Sequence, residues 1–207
     1  MEEKKSALSN PKIFMLIMGL PLILMLLSYT MMYLVKGEKL DLVSLLGTKT
    51  IGELIQPVKA VSEINLTDLN GQVFDHAKQD KHIWSMIVLG SPNCGQRCEE
   101  NLIQSRQMHI ALGKQQSKIR RYYLYLDGQL TSANITLLKD EHPDMDILYG
   151  SSSELKNLLS DQKIQDWNDL AYLLLDKRGW LMMSYTENVN ERDIMKKDLH
   201  HLFKYAQ

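Results

Sequence analysis

The sequence has little cysteine and no excess of charge of either sign. Only two of its 207 residues are cysteine, which excludes a scaffold of several disulfides. Lysine and arginine number 24 against 25 aspartates and glutamates, and this balance excludes the strongly basic surface typical of proteins that bind nucleic acid. No internal repeat is present either, which excludes solenoid architectures.

Charge is also missing from one long stretch near the N-terminus. The run from Ile13 to Val35 contains no charged residue and is bounded by Lys12 and Lys36. At about 1.5 Å per helical residue, it covers the roughly 30 Å hydrocarbon core of a bilayer. The run therefore predicts one transmembrane helix over residues 13–35, in contact with membrane lipid. A cleaved signal peptide is the alternative, but the small residues of a cleavage site are absent from its end.

Lysines on either side of this run predict its orientation. Three precede the run and two follow it: Lys4, Lys5, Lys12, Lys36 and Lys39. Because basic residues are retained on the cytoplasmic side, residues 1–12 are expected to form a cytoplasmic tail. Residues 36–60 then form a linker on the opposite side of the membrane, and residues 61–207 form one domain of ordinary size.

Strand and helix patterns alternate in the domain. The apolar run from His82 to Leu89 predicts a buried central strand, and helical spacing follows over residues 99–114, with Gly113 as a terminator. Residues 119–126 predict a second strand, parallel to the first because a helix connects them. Weaker helices over residues 129–160 surround a short strand at 146–149.

Two hairpins and a last helix complete the pattern. Residues 64–74 predict a hairpin around Asn70-Gly71, residues 171–185 a second hairpin, and residues 189–205 an amphipathic helix. A βαβ unit followed by a hairpin and a C-terminal helix is the thioredoxin arrangement. The fold class is therefore predicted to be α/β, a thioredoxin-like domain whose central mixed sheet is flanked by helices, preceded by the transmembrane helix.

The two cysteines follow the predicted central strand directly. Cys94 lies in a loop and Cys98 near the start of the next helix, where the helix macrodipole favours a thiolate. Arg97 acts in the same direction, whereas Glu99 and Glu100 oppose it. Thiol–disulfide exchange, binding of a soft metal and a static bridge all remain open for this pair, as does the alternative of two ordinary buried cysteines.

At these residues the sequence resembles the Sco proteins, which are membrane-anchored thioredoxin-fold factors for cytochrome c oxidase. The resemblance covers roughly residues 60 to 205. It is carried by the C-x3-C spacing of Cys94 and Cys98 and by the segments 66–71, 87–90, 123–128 and 172–179 in the Sco order. Flanking segments such as Arg106-Gln107 and Arg120-Arg121 are also similar to small Sco-like membrane proteins of proteobacteria.

This resemblance implies a copper site that the sequence does not complete. A Sco site adds a distal histidine to the two thiolates of Cys94 and Cys98, but no histidine occurs between His142 and His200. Two thiolates are still able to bind copper(I) transiently, and Met182 or Met183 is a speculative third ligand. Stable copper(II) binding is not expected, so thiol–disulfide exchange or transient copper(I) binding is the favoured chemistry.

The remaining soft or basic ligands are expected to be ordinary. The six histidines have no metal-ligand spacing among themselves and are expected at the surface or at helix caps, and Arg120-Arg121 is expected to be a solvated strand start. The methionines of the predicted span are expected to be apolar filler.

The resemblance therefore implies an assembly factor for cytochrome c oxidase in the bacterial inner membrane, with its domain in the periplasm. Cys94 and Cys98 are the expected catalytic and metal-binding residues, and oxidase subunit II or an assembly intermediate is the expected partner. In the redox version Cys94 attacks and Cys98 resolves the mixed disulfide. Two alternatives stay open: a general periplasmic thiol–disulfide oxidoreductase, and a non-catalytic module that docks on the oxidase and holds a structural disulfide.

Overall fold

The computed structural model describes residues 11–36, 52–78, 83–93, 95–162, 164, 166–186 and 191–205. The chain divides into two units, residues 1–49 and 50–207. The first unit contains helix α1 (Pro11–Lys36), whose described apolar side chains are 49 to 77% exposed. Among the side chains that the structure describes, no helix has both the length and the apolar character needed to cross a membrane.

The second unit is built on a seven-stranded mixed sheet. Its strands are β1 (Glu53–Ala60), β2 (Thr67–Asp68), β3 (Trp84–Gly90), β4 (Ile119–Leu126), β5 (Met145–Gly150), β6 (Leu170–Leu175) and β7 (Trp180–Thr186). Their order across the sheet is β1-β7-β6-β3-β4-β5-β2. Strands β3, β4 and β5 run parallel, whereas β6, β7, β1 and β2 each pair antiparallel with their neighbours.

The α-helices described beside the sheet are α2 (Gln96–Ala111), α3 (Ser132–Glu141), α4 (Ser152–Leu158) and α5 (Glu191–Tyr205). Every residue of β3 is buried, because its alternate side chains enter two separate hydrophobic cores. Met86 and Val88 lie in the core that also contains residues of α2 and α5. Ile87 and Leu89 lie in the core that also contains residues of α4. The predicted central strand and mixed sheet are thus confirmed.

Most predicted elements agree with the structure. Strand β4 has the predicted bounds, and the second hairpin is formed by β6 and β7 around a turn in which Gly179 has a φ of 83°. Helix α2 ends at Ala111, and Gly113 follows with a φ of 55°, a conformation in which glycine is favoured after a helix.

The sheet begins earlier than the sequence predicts. Strand β1 lies inside the stretch expected to be a linker, pairs with β7, and contributes the buried Ile55. Its pairing slips between Leu54 and Lys59, around a cis Gln56–Pro57 bond. This irregularity explains the missing sequence signal, because a strand interrupted by a bulge and a proline does not alternate regularly.

The predicted hairpin at residues 64–74 is present but short. A bridge from Thr67 to Val73 and backbone hydrogen bonds from Asp68 to Gln72 and from Phe74 to Leu66 join its two sides, and the two-residue strand β2 also pairs with β5. The turn itself is present, because Gly71 has a φ of 74° and its N–H donates to the backbone oxygen of Asp68.

Three polar side chains expected at the surface are buried. Arg121 has a fully buried side chain, and its guanidinium donates to both carboxylate oxygens of Asp144 and to the hydroxyl of Ser105. His76 and His142 are also buried. The expectation of a solvated Arg121 was wrong because side chains alternate along β4: Arg120 points to solvent, and its neighbour points beneath α2.

Candidate redox site

The cysteine loop connects the end of the central strand to helix α2. Strand β3 ends at Gly90, and α2 begins at Gln96 after Gly95, whose φ of 51° favours a residue without a side chain. Gly90 also approaches its surroundings closely, because a Cβ atom there would overlap the buried ring of Tyr123. Cys94 lies outside the described residues, so its predicted role stays a prediction.

Cys98 is the third residue of α2 and is buried. It is 7% exposed, its Sγ lies 3.8 Å from the backbone oxygen of Leu89, and it is disulfide-bonded. Its backbone N–H donates to the oxygen of Gly95. The prediction that this cysteine lies at the start of the helix is confirmed, and its burial leaves the sulfur little direct access for a protein partner.

A cavity of about 450 Å³ opens beside the cysteine loop. Its walls come from the end of β3, the cysteine loop, the first turns of α2, the end of β4, helix α4 and the loop before β6. Trp167 and Leu170 supply apolar wall, whereas Arg97, Asn101 and Asn168 supply polar groups. The cavity is thus next to Cys98 in sequence and structure, since Arg97 and Asn101 belong to the same helical turns.

Asp127 joins two walls of this cavity. It is the non-glycine residue with a positive φ, 57°, among those described, and its Oδ1 accepts the backbone N–H of Ser152 at the start of α4. Hydrogen bonds from the hydroxyl and backbone of Ser152 lower the pKa of Asp127, so the carboxylate stays charged. Arg97 and Lys156 line the same cavity and provide positive charge.

Asn101 is fixed by a tyrosine from the neighbouring sheet. The Tyr172 hydroxyl lies 3.2 Å from the backbone oxygen of Asn101, 3.3 Å from its Oδ1 and 3.4 Å from Oε1 of Gln104. Asn101 is 5% exposed, and Tyr172 is buried in β6. Asn101 is therefore in contact with Tyr172 and is also one of the residues that line the cavity.

The described residues do not fit a copper centre with three protein ligands. Where a distal histidine would be needed, the cavity wall has Trp167 and Asn168, and no group of three histidine, cysteine or acidic residues fit for a metal is found in the described part of the chain. Met183 pairs with Leu174, which pairs with Met86. Met86 is three residues before Leu89 in β3, which is roughly 10 Å along the strand, and Met183 lies two strands away from β3. The suggested ligands Met182 and Met183 therefore do not lie beside Cys98.

Two residues of the site, Asn101 and Tyr172, were not predicted from the sequence. Asn101 follows Cys98 by three positions, a spacing that places both on one side of a helix and that could have been noticed. Tyr172 lies 71 residues further along the chain, and no local pattern links it to Asn101.

Solved structures with the same fold include Sco proteins. Yeast Sco1 with copper bound is 18% identical, with a TM-score of 0.54, and the match covers 77% of this chain and 96% of that one. BsSco, described with a disulfide switch and as a member of the Sco family of cytochrome c oxidase assembly proteins, is 13% identical, with a TM-score of 0.53 and coverages of 75% and 98%. A SCO1/SenC family lipoprotein from Bacillus anthracis is 14% identical, with a TM-score of 0.53 and coverages of 72% and 99%.

At these identities the likeness establishes the thioredoxin-like fold. No curated protein matches the sequence. The family described as "Transmembrane-like, thioredoxin-like, C-terminal domain" matches residues 84–206, more than half of the chain and all of the sheet from β3 to β7. The cysteine loop, the cavity and Tyr172 all lie within or at the border of this match. The chain therefore belongs to the transmembrane-like, thioredoxin-like C-terminal domain family.

Proposed function

We propose that this protein is a membrane-anchored assembly factor for cytochrome c oxidase that acts by thiol–disulfide exchange through Cys94 and Cys98. The observation that carries the proposal is the placement of a buried, disulfide-bonded Cys98 at the start of α2, beside a cavity large enough for part of a polypeptide. Cys94 is the only other cysteine in the chain, which makes it the partner in this proposal.

Burial of Cys98 assigns it the second step of the exchange in this proposal. Starting from the dithiol, the Cys94 thiolate attacks one sulfur of a client disulfide, forms a mixed disulfide and releases one client thiolate. The Cys98 thiolate then attacks the Cys94 sulfur, which closes the internal disulfide and releases the second client thiolate. Two electrons pass to the client, and a dithiol reductant must restore the starting state. Cys98 suits the second step because its sulfur is screened from clients.

Support for the oxidase as the client comes from the Sco proteins. The fold is shared with BsSco, a member of a family of cytochrome c oxidase assembly proteins, and the order of motifs along this chain resembles that family. Subunit II or an assembly intermediate is the proposed partner. Copper(I), carried as cargo by the two thiolates, is the second candidate, because yeast Sco1 of the same fold holds copper.

The membrane anchor is the other half of the proposal, with residues 13–35 in the inner membrane, the N-terminus in the cytoplasm and the domain in the periplasm. The uncharged sequence run extends beyond the side chains that the structure describes, and residues 11–36 are helical. The described apolar side chains of α1 are exposed on all sides, as in a helix whose surroundings are lipid. The lysine bias favours this orientation.

The exchange reaction is tested with the full-length chain in lipid nanodiscs. A peptide disulfide that copies the cysteine segment of subunit II is mixed with the reduced protein, and the internal disulfide is followed by mass spectrometry. We expect a Cys98→Ser variant to accumulate the mixed disulfide and a Cys94→Ser variant to form none. A reduction potential below about −300 mV without exchange would instead identify a structural bridge.

Copper and client are tested separately. Titration of the reduced chain with copper(I) against a competing chelator decides the cargo candidate, which is ruled out if no copper binds. For the client, deletion of the gene in its own host should lower the amount of assembled oxidase. Wild type should restore the oxidase, and the two serine variants should not. Normal oxidase in the deletion strain would favour a general oxidoreductase.

A further inference from the structure

We infer that Asn101, held by Tyr172, is a binding residue for the polypeptide backbone of the client, a subsite beside the cysteine pair. This inference rests on the proposed exchange function and adds to it the group that orients the client.

The first observation is an unused polar group in a buried side chain. Asn101 is only 5% exposed. Its carboxamide oxygen lies 3.3 Å from the Tyr172 hydroxyl. A carboxamide has an oxygen acceptor and an NH₂ group with two donors. No partner for the NH₂ group of Asn101 is found among the described residues. The Nδ2 atom is not among the fully buried polar atoms that lack a partner in the described residues, so solvent in the cavity reaches it and an acceptor on a ligand can replace that water.

The second observation is the place of this group. Asn101 lines the cavity of about 450 Å³, together with Arg97 of the same helix and Trp167 and Asn168 from the loop across the cavity. Cys98 lies one turn earlier in α2, and residues 91–93 of the cysteine loop line the same cavity as Asn101, so a segment bound in the cavity lies beside both. The wall thus offers an N–H donor, apolar surface and further polar groups within one small space.

The third observation is the rigidity of the arrangement. Tyr172 reaches Asn101 from β6, a strand in which every residue is buried. Its hydroxyl lies 3.2 Å from the backbone oxygen of Asn101 and 3.3 Å from its Oδ1, and its single proton is donated to one acceptor at a time. Both oxygens of Asn101 are thus on the side of Tyr172, and the NH₂ group, which has no partner among the described residues, remains for a ligand. A fixed donor of this kind binds an acceptor without first losing side-chain freedom.

The acceptor with the best match is a backbone carbonyl oxygen. Every client segment has one beside each cysteine, whatever its side chains, and neutral N–H to carbonyl hydrogen bonds are the ordinary contacts of an extended peptide. Small thiols without peptide groups cannot form this contact. The subsite should therefore favour peptides over small thiols in the rate of exchange.

Exchange rates provide the first test, with full-length protein in nanodiscs. The reagents are a peptide disulfide and bis(2-hydroxyethyl) disulfide, and the variants are Asn101→Leu, Tyr172→Phe and, as a control, Asn134→Leu on the exposed face of α3. We expect Asn101→Leu to lower the rate with the peptide about tenfold, the effect of one lost hydrogen bond of about 1.4 kcal/mol, and to leave the rate with bis(2-hydroxyethyl) disulfide within twofold. Tyr172→Phe should show a smaller loss of the same selectivity, and Asn134→Leu none.

Direct binding provides the second test. It uses the wild-type protein and so does not depend on whether a variant folds. A capped, neutral seven-residue peptide with serine in place of cysteine is titrated into the wild-type protein, and the side-chain amide signal of Asn101 is followed by NMR. A shift of this signal that saturates supports the subsite. No shift, or equal loss of rate with both reagents in Asn101→Leu, overturns it. Absence of exchange in the wild type overturns the proposed function alone, because the peptide titration still decides the binding role.

Discussion

A buried charged network beneath helix α2 is the largest departure from the surface expected for this sequence. Arg121 is 0% exposed and Asp144 is 38% exposed, with 3.1 Å between Nη1 and Oδ2. His109 also contacts Asp144, at 2.9 Å from its Nδ1. Burial raises the pKa of Asp144, but the attraction of Arg121 and its hydrogen bond outweigh burial, so the net shift is downward. The network joins α2 to β4 and to the turn before β5.

Unequal burial predicts unequal mutational costs. Asp144→Asn leaves the charge of Arg121 buried without a counterion, and we expect a loss of about 3 kcal/mol in the free energy of unfolding. Arg121→Met leaves a carboxylate that water reaches, so its cost should be smaller. Urea unfolding measures both.

The adjacent pair of Arg120 and Asp146 is a matched control. Its side chains are 44% and 50% exposed, and an exposed pair contributes at most about 1 kcal/mol. Asp146→Asn should therefore change stability little. Equal costs for Asp144→Asn and Asp146→Asn would contradict the assignment of Arg121 as a buried charge.

Two buried histidines predict that acid destabilises the domain. Burial, together with repulsion from Arg121 and Arg106, lowers the pKa of His142. Burial also lowers the pKa of His76, despite the carboxylates of Asp176 and Asp75. The unfolded chain, with histidine pKa values near 6.5, then binds more protons than the folded one below that pH.

Stability should consequently fall as the pH drops below about 6.5, by at most about 1.4 kcal/mol per pH unit for each histidine, and stay level above it. Urea midpoints between pH 5 and 8 measure this dependence. Replacing both histidines, as in a His76→Gln, His142→Gln double variant, should flatten the curve between pH 5 and 6.5. An unchanged slope in the double variant would show that other groups cause it.

Among the secondary-structure elements, strand β1 and the residue before it join the start of the domain to strand β7 and helix α5. Ile55 is buried, Lys59 forms an ion pair with Asp161, and the backbone N–H of Gly52 donates to the buried carboxylate of Asp198 in α5. The strand covers the edge of β7, which would otherwise be open to pairing with another chain. Its bulge and proline then make the new edge a poor partner.

A chain that begins at residue 61 should therefore be unstable, whereas one that begins at residue 50 should retain the fold. The loss of Ile55 alone is worth about 2 to 5 kcal/mol, and the exposed edge of β7 adds a tendency to aggregate. Thermal unfolding and size-exclusion chromatography measure both effects, with Ile55→Ala in the longer chain as the control for the core contact. Equal stability of the two truncated chains would contradict the role given to β1.

For the molecule as a whole, the proposed tether would confine the thioredoxin-like domain to the membrane surface that the proposed client occupies. Confinement raises the effective concentration of one partner near the other without any new contact. A tethered domain would therefore exchange disulfides with a membrane-embedded client even where its intrinsic affinity is weak.

Removal of residues 1–49 tests this role of the tether. The substrate is an oxidase subunit reconstituted in the membrane that also holds the full chain. We expect the shortened chain, added from solution, to react with it at least about tenfold more slowly, because an effective concentration near the millimolar range is lost. Its rate with a soluble peptide disulfide should not change. A loss of rate with both substrates would point to damage of the domain instead.

Several parts of this protein depend on local patterns and could be predicted from the sequence. The buried run of β3, the strand β4, the turn at Gly179 and the helix that begins beside Cys98 were all predictable, because burial on two faces and positive φ values leave a local signature. The cysteine pair was noticed for the same reason, since its position between a strand and a helix is visible in the sequence.

Contacts between distant residues became known from the folded structure alone. The pairing of β1 with β7, the burial of Arg121 against Asp144 and the contact of Tyr172 with Asn101 join residues separated by 23 to more than 100 positions. No local pattern predicts such contacts, because the same secondary-structure propensity of a residue is compatible with several different tertiary partners. Packing of the sheet selects among them, since a buried charge or carboxamide is stable only where the fold brings a partner to it.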